Sequence, residues 1–450
     1  MSFTAIVVAA LLLADPGEVK LEPEVGPELA VDPIVIGPAL ASTSSAAATW
    51  ARWTSHLALT FDPPAARDAA PIEAPMLRLG STLALGLDWS AGDGFELALE
   101  TRLRHRLDIA RDGAIGSAAA ANDFAPEVRR ALVRWQVSSG PSLALGMDVT
   151  RWGRTLARPF DVVSPVDWRD GPLPPEGGER VPTFGLTLRQ TLGQGELLAL
   201  WTPFHVAAQT PGARATAPTQ DLWHSSELAL RVTQRLGDLD LGLGWMLRFD
   251  RPPPLPEALS AASARPERQH VLGLEFALPT GPLRWAAEAA LLLDQRHYYA
   301  PAEAATESPS SARPTLRWAL DVAIEPAIFL ELTFGLEGAH VPGAEPTPSA
   351  YEGPDDFWLR ARLALLLAYD GVLRLDVDTR IGLLRDDWWV TPVLALRASA
   401  ALDLGLGLAL LGGDGLDLGL ASNGRRGRYG GLGALYGRAD QLWLRATFTF

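Results

Sequence analysis

Apolar and polar residues alternate with a period of two from about Trp50 to the C-terminus, in runs of ~10–15 residues. The pattern is strictest at the very end. Leu442, Leu444, Ala446, Phe448 and Phe450 fall on one face of a strand, and Trp443, Arg445, Thr447 and Thr449 on the other. Leu79, Leu83, Leu85 and Leu87 likewise share a face, as do Leu239, Leu241, Leu243, Trp245, Leu247 and Phe249. Ile328, Leu330, Leu332, Phe334 and Leu336 form a third set. The opposite parity carries charge. One run holds Glu96, Glu100, Arg102, Arg104, Arg106 and Asp108. Others hold Arg130 and Arg134; Glu227, Arg231 and Arg235; Arg284, Glu288, Asp294 and Arg296; Arg317 and Asp321; Arg360 and Arg362; Arg374, Asp376, Asp378 and Arg380.

Short and long connections take turns between these runs. Short ones, near 90–94, 138–141, 192–195, 237–238, 279–282, 325–326 and 369–371, carry the Gly, Pro or Asp that tight hairpins need. Long ones, near 62–74, 109–126, 153–181, 206–221, 251–267, 299–313 and 341–355, are rich in Pro, Ala and acid. This order predicts an all-β fold, a transmembrane antiparallel β-barrel over 46–450 with short periplasmic turns and long outer loops. The runs number about eighteen, with sixteen as the alternative; either even number returns both termini to one side. A soluble sandwich would need a second layer to cover every apolar face, and the chain offers no helices to supply it. Trp285–Leu293 has helical composition in isolation, but its neighbours make it a strand.

Composition narrows the chemistry. The chain has no cysteine, which removes disulfides, thiolate metal sites and a cysteine nucleophile. A net charge of −14 leaves no basic surplus for nucleic acid. Beyond the first fourteen residues no apolar run reaches the ~18 residues of a membrane-spanning helix. Residues 1–14 read as an atypical signal peptide lacking a leading positive charge, and 15–45 as a flexible periplasmic lead-in. Of fifteen Trp, those at run ends (Trp50, Trp53, Trp89, Trp285, Trp358, Trp388, Trp389) suit the headgroup level of a bilayer.

One local motif stands out. Trp152-Gly153 closes a run and is followed by Asp161 and Ser164-Pro165-Val166-Asp167, with Pro203-Phe204 ending a later run. The set resembles a family of large Gram-negative outer-membrane barrels, mostly of unassigned function, found in porin-like and lipid-export contexts. The resemblance covers about sixty residues, and it departs from that pattern in the short stretch between Trp-Gly and Asp161. The terminal Phe450 behind alternating apolar residues is similar to the closing strand of such barrels, and implies handling by barrel-assembly machinery. Physically, Gly153 permits a sharp turn, and Pro159, Pro165, Pro172, Pro174 and Pro175 stiffen the loop. Such a loop either folds inward and narrows the lumen or forms a rim; the sequence leaves both open.

The expected function is passage of small polar or anionic solutes through a channel, without catalysis. The alternative is a non-channel barrel component of envelope lipid export or organisation with a periplasmic partner. Candidate lumen residues are Glu96, Glu100, Arg102, Arg104, Arg106, Arg130, Arg134, Arg231, Arg360, Arg362, Arg374 and Arg380. Two roles compete for them: bracing neighbouring strands as ion pairs, or favouring anions in a pore. The loop motif is Trp152, Gly153, Asp161, Pro165 and Asp167. No cofactor is expected. The seven His show no ligand spacing, so no metal site is expected either. Gly140-Pro-Ser-Leu-Ala144 lacks the second Gly of a nucleophile elbow. Outer-membrane lipid and lipopolysaccharide are the expected surroundings, with Gly424–Tyr429 as a basic outer loop.

Overall fold

In a computed structural model the strands close into one antiparallel barrel of eighteen. The structure describes residues 46–60, 76–91, 94–111, 118–137, 140–167, 179–204, 206, 225–249, 268–298, 310–327, 329–342, 355–367, 372–383, 388–412, 417–422, 425–428 and 441–450. The expected signal peptide and lead-in, 1–45, lie outside them. In chain order the barrel strands are β1 (Ala46–Thr60), β2 (Met76–Ala91), β3 (Phe95–Arg111), β4 (Ala118–Gln136), β5 (Ser142–Asp148) and β6 (Thr183–Leu192). Then follow β7 (Gly195–Thr202), β8 (Glu227–Leu236), β9 (Leu239–Phe249), β10 (Arg268–Thr280), β11 (Leu283–Tyr298) and β12 (Ser310–Ala327). The last six are β13 (Leu330–His340), β14 (Asp355–Leu366), β15 (Leu373–Gly382), β16 (Trp388–Ser399), β17 (Leu402–Gly412) and β18 (Gln441–Thr449).

Each strand pairs with its sequence neighbours, and β1 closes the ring by pairing with both β2 and β18. Trp53 stands opposite Leu83 on one side and Phe448 on the other, and its ring stacks on Phe448 at 5.3 Å. Phe450 and Ala51 exchange both backbone hydrogen bonds, at 2.8 and 3.2 Å, so no sheet edge remains at the seam.

Register carries the parity around the ring. Leu83, Leu103, Leu145, Leu186, Leu230, Leu243, Leu272 and Leu274 all point outward, and Leu243 is 61% exposed. The charged positions point inward, except at Asp294 and Arg296, which a bulge in β11 shifts off that register. A closed cylinder that is apolar outside and charged inside satisfies every ladder hydrogen bond without an edge, which is what a bilayer demands.

Several expectations need correction. Glu325-Pro326 is not a hairpin turn but lies in β12 at a register shift between Ile324 and Ala327, where proline's missing N–H is tolerated. β3 and β4 reach Arg111 and Ala118, so the connection expected at 109–126 spans only 112–117. Connections at 383–387, 400–401 and 413–440 complete the eighteen strands. A bulge between Leu292 and Gln295 places Asp294 at φ 61 and throws it off the inward parity, which Gln295 resumes. Trp50, Trp358 and Trp389 sit on the inward parity, not at the headgroups, because each pairs with an inward residue: Gly86, Gly382 and Arg380.

Candidate functional site

The inner faces of β9 and β10 are drier than an open lumen would leave them. Gln269, Val271 and Glu275 point inward at 0% exposure, while outward Leu272 and Leu274 are 44% and 49% exposed. The cover is the first half of the connection between β5 and β6. Residues 149–165 fold into the barrel and pack on the inner wall of β7–β12. Trp152, Phe160, Val162 and Val163 form a buried cluster with Leu198, Leu200, Ala229, Met246, Val271, Ala290 and Leu292. Phe160 is fully buried, which contributes ~1.5–3 kcal/mol. Its ring lies where Gly244 and Gly273 have no side chain; a Cβ there would come within 2.2 and 2.1 Å of ring carbons.

Wall carboxylates then fasten the loop's backbone. Glu288 accepts from the amides of Arg154 and Thr155, and Asp321 from the amide of Leu156. Gly153 holds φ +99, and a Cβ there would stand 2.7 Å from a Glu288 carboxylate oxygen, so glycine serves both the turn and the approach. The Arg154 guanidinium donates to Asp240 at 3.0 Å and lies 3.5 Å from Glu275. Glu275 in turn takes a forked pair from Arg231 at 2.5 and 2.9 Å, the geometry in which guanidinium and carboxylate match best. Arg248 donates to the Val162 carbonyl at 3.2 Å and to Gln269 at 3.0 Å.

Within the loop, Asp161 accepts from the Trp152 amide at 2.8 Å and from Arg180 at 2.7 Å. Arg180 also donates to the Ser164 carbonyl at 2.9 Å, and the Ser164 hydroxyl accepts from the Thr150 amide at 2.9 Å. Pro165 is buried, and its carbonyl accepts from the Val181 amide at 2.8 Å. The backbone of Val166–Asp167 pairs antiparallel with Glu179–Arg180. Four of the motif positions singled out by sequence thus come together as one internal scaffold, and Asp167 joins through its backbone. Pro172, Pro174 and Pro175 lie outside the described residues.

The remaining charged positions fall on the inward parity and mostly meet carboxylates. Arg102 pairs with Glu100 at 2.8 Å, Arg134 with Glu96 at 2.9 Å, and Arg104 with Glu127 at 3.9 Å. Arg130 lies between Asp88 at 3.6 Å and Asp148 at 3.9 Å, while Arg106 stands opposite Asp123 in register. On the far wall Arg360 meets Asp378 at 3.3 Å; Arg362 and Arg374 share Asp376 at 3.6 and 2.8 Å; Arg380 meets Glu337. Arg380 also lies over the Trp358 ring at 4.1 Å and near Trp389 at 5.8 Å, which gives those inward rings a role as cation–π partners.

The two sides of the lumen differ. Against the loop, Glu275 and Asp161 are dry. Along β2–β5, the side chains of Asp88 and Glu96 keep 52% and 50% of their exposure. Sequence reasoning missed the fasteners: Glu275, Asp240, Phe160, Arg154 and Arg180, and the receiving glycines. The one advance signal was glycine at inward positions 242, 244 and 273 among charged neighbours.

No family model matches the chain, and no curated protein sequence matches it. Among solved structures it is similar to OccK7 (OpdD) of Pseudomonas aeruginosa, with a TM-score of 0.52 and 12% identity over 91% of this chain and 99% of that one. It is also similar to OccAB1 of Acinetobacter baumannii, with a TM-score of 0.51 and 8% identity over 90% of this chain and 96% of that one. At these identities the likeness is one of fold.

Proposed function

We propose that the protein is a passive outer-membrane channel for small polar solutes, with a preference for anions, and that it carries out no chemistry. The observation behind this reading is the lopsided lumen. The loop occupies the β7–β12 side, while on the β1–β4 wall the side chains of Asp88, Glu96, Arg130 and Arg134 stay 30–52% exposed. On that wall the inward arginines Arg52, Arg78, Arg102, Arg104, Arg106, Arg130 and Arg134 exceed the inward acids Asp88, Glu96, Glu100, Asp108, Asp123 and Glu127 by one. Hydrated ion pairs brace strands weakly, at ~0–1 kcal/mol each, so the surplus cations retain a field in the water path.

Purified full-length protein in planar bilayers tests the reading. Ohmic steps with a reversal potential on the anion side are expected. The double variant Arg102→Glu with Arg104→Glu should shift that potential toward cations, and an unchanged potential would take both residues off the path. Electrical silence of correctly folded protein would defeat the channel reading and favour a lipid-handling barrel.

A further inference from the structure

The inward loop contains a cation that its fold does not use. Arg154 and Arg180 are both engaged by carboxylates. The guanidinium of Arg158 makes no ion pair and no hydrogen bond among the described residues, although the side chain is half-buried. The carboxylates nearest in charge, Asp161 and Glu288, already serve other donors: Arg180 and Trp152 for the first, the amides of Arg154 and Thr155 for the second. Burial lowers the Arg158 pKa from its ordinary value, and the like charges of Arg151 and Arg360 act in the same direction, against Asp161 and Glu288. Arginine stays charged regardless. It is therefore a fixed cation that the loop leaves unneutralised.

Its backbone makes the choice of residue odder. Arg158 holds φ 47, a left-handed conformation that side chains with a Cβ avoid, and it stands immediately before Pro159, which disfavours non-extended conformations. The local turn needs only main-chain atoms of this residue. The Arg158 carbonyl accepts from the Asp161 amide at 2.9 Å, and its amide donates to the Thr155 hydroxyl at 3.1 Å. Glycine would supply both bonds with less strain. A strained position occupied by an unpartnered charge inside a lumen points to a use for the side chain.

We propose that Arg158 is the specificity-determining residue of the narrowed lumen, presenting its planar fork to the oxyanion (carboxylate or phosphate) of a passing solute. The inference rests on the channel reading above and gives it an address. Arg151, exposed on the same loop, and Arg360 on β14 raise the local positive field around that address.

The test uses the full-length protein in planar bilayers under a KCl gradient, with potassium acetate and inorganic phosphate as probe anions. Arg158→Gly should fold with the parent's thermal stability or better, since strain is relieved. It should lose most of the anion preference and the current block by acetate or phosphate. Arg158→Lys should retain preference but bind the probes less well, because an ammonium lacks the fork. Arg158→Glu should turn the preference toward cations. Block by phosphate alone, or by acetate alone, identifies which oxyanion the site takes. An Arg158→Gly channel with parental selectivity and block overturns this assignment and leaves the channel reading intact. A variant that loses stability shows a structural role and overturns it too. A parent that never conducts overturns both.

Discussion

Phe160 reaches full burial only because two strands of the opposite wall omit a side chain where its ring lies. That dependence is testable on the wall. Gly273→Val would place a branched side chain in space the ring occupies, and overpacking of this kind costs ~1–3 kcal/mol. Because the loop is the softer partner, it should move, and single-channel recording should give a larger unit conductance than the parent; an unchanged conductance would mean that the loop does not set the bore. Asp161 supports the same loop from within. Asp161→Ala takes the carboxylate from the Arg180 guanidinium and the acceptor from the Trp152 amide, and losing one member of a buried pair costs ~3–5 kcal/mol. Hydrogen exchange should show the amides of Trp152 to Val163 losing protection while β1 and β18 keep theirs. These residue roles were half legible. Trp152, Gly153, Asp161 and Pro165 stand out because they are unusual in a connection. Glu275 and Glu288 look in sequence like any other lumen charge, since nothing one-dimensional says that a loop from 130 residues away will meet them.

At the scale of the strand, alternation was legible almost everywhere, because a one-residue slip would carry every charge into lipid. It failed where the ladder itself is irregular. The bulge at Asp294 and the register shift at Pro326 each insert a residue, and no periodicity argument can locate an insertion before the partner strand is known. Trp placement failed for a related reason. A ring near a strand end suits either face, and only register shows that Trp358 and Trp389 turn inward to stack with Arg380. The parity makes an asymmetric prediction. Leu243→Arg puts a charge in the outward band and should cost ~2–4 kcal/mol near mid-depth. Thr82→Arg adds the same charge to an inward position of β2 and should change stability little. Urea unfolding in lipid vesicles distinguishes the pair, and equal effects would contradict the assignment of faces.

For the molecule as a whole, closure joins the first strand to the last. The sequence suggested this through Phe450, and the seam hydrogen bonds with Ala51 complete it. What composition misled on was charge. A chain with a net charge of −14 builds a lumen wall with more arginine than acid, because inward arginines concentrate on β1–β4 while many acids sit in connections. A field of that origin has a characteristic dependence on salt. The Debye length falls from ~10 Å at 0.1 M to ~3 Å at 1 M, so charges across a wet lumen are screened at the higher concentration. Reversal potentials measured at fixed gradient ratio should therefore show strong anion preference near 0.1 M and most of it lost by 1 M. A guanidinium in direct contact with an oxyanion is screened far less, so block by phosphate should weaken less steeply with chloride than selectivity does. If both decline together, the long-range field of the β1–β4 wall accounts for selectivity and the Arg158 contact does not. If neither declines, permeation is governed by close contacts along the loop, and the surplus of wall arginines serves only to brace the strands.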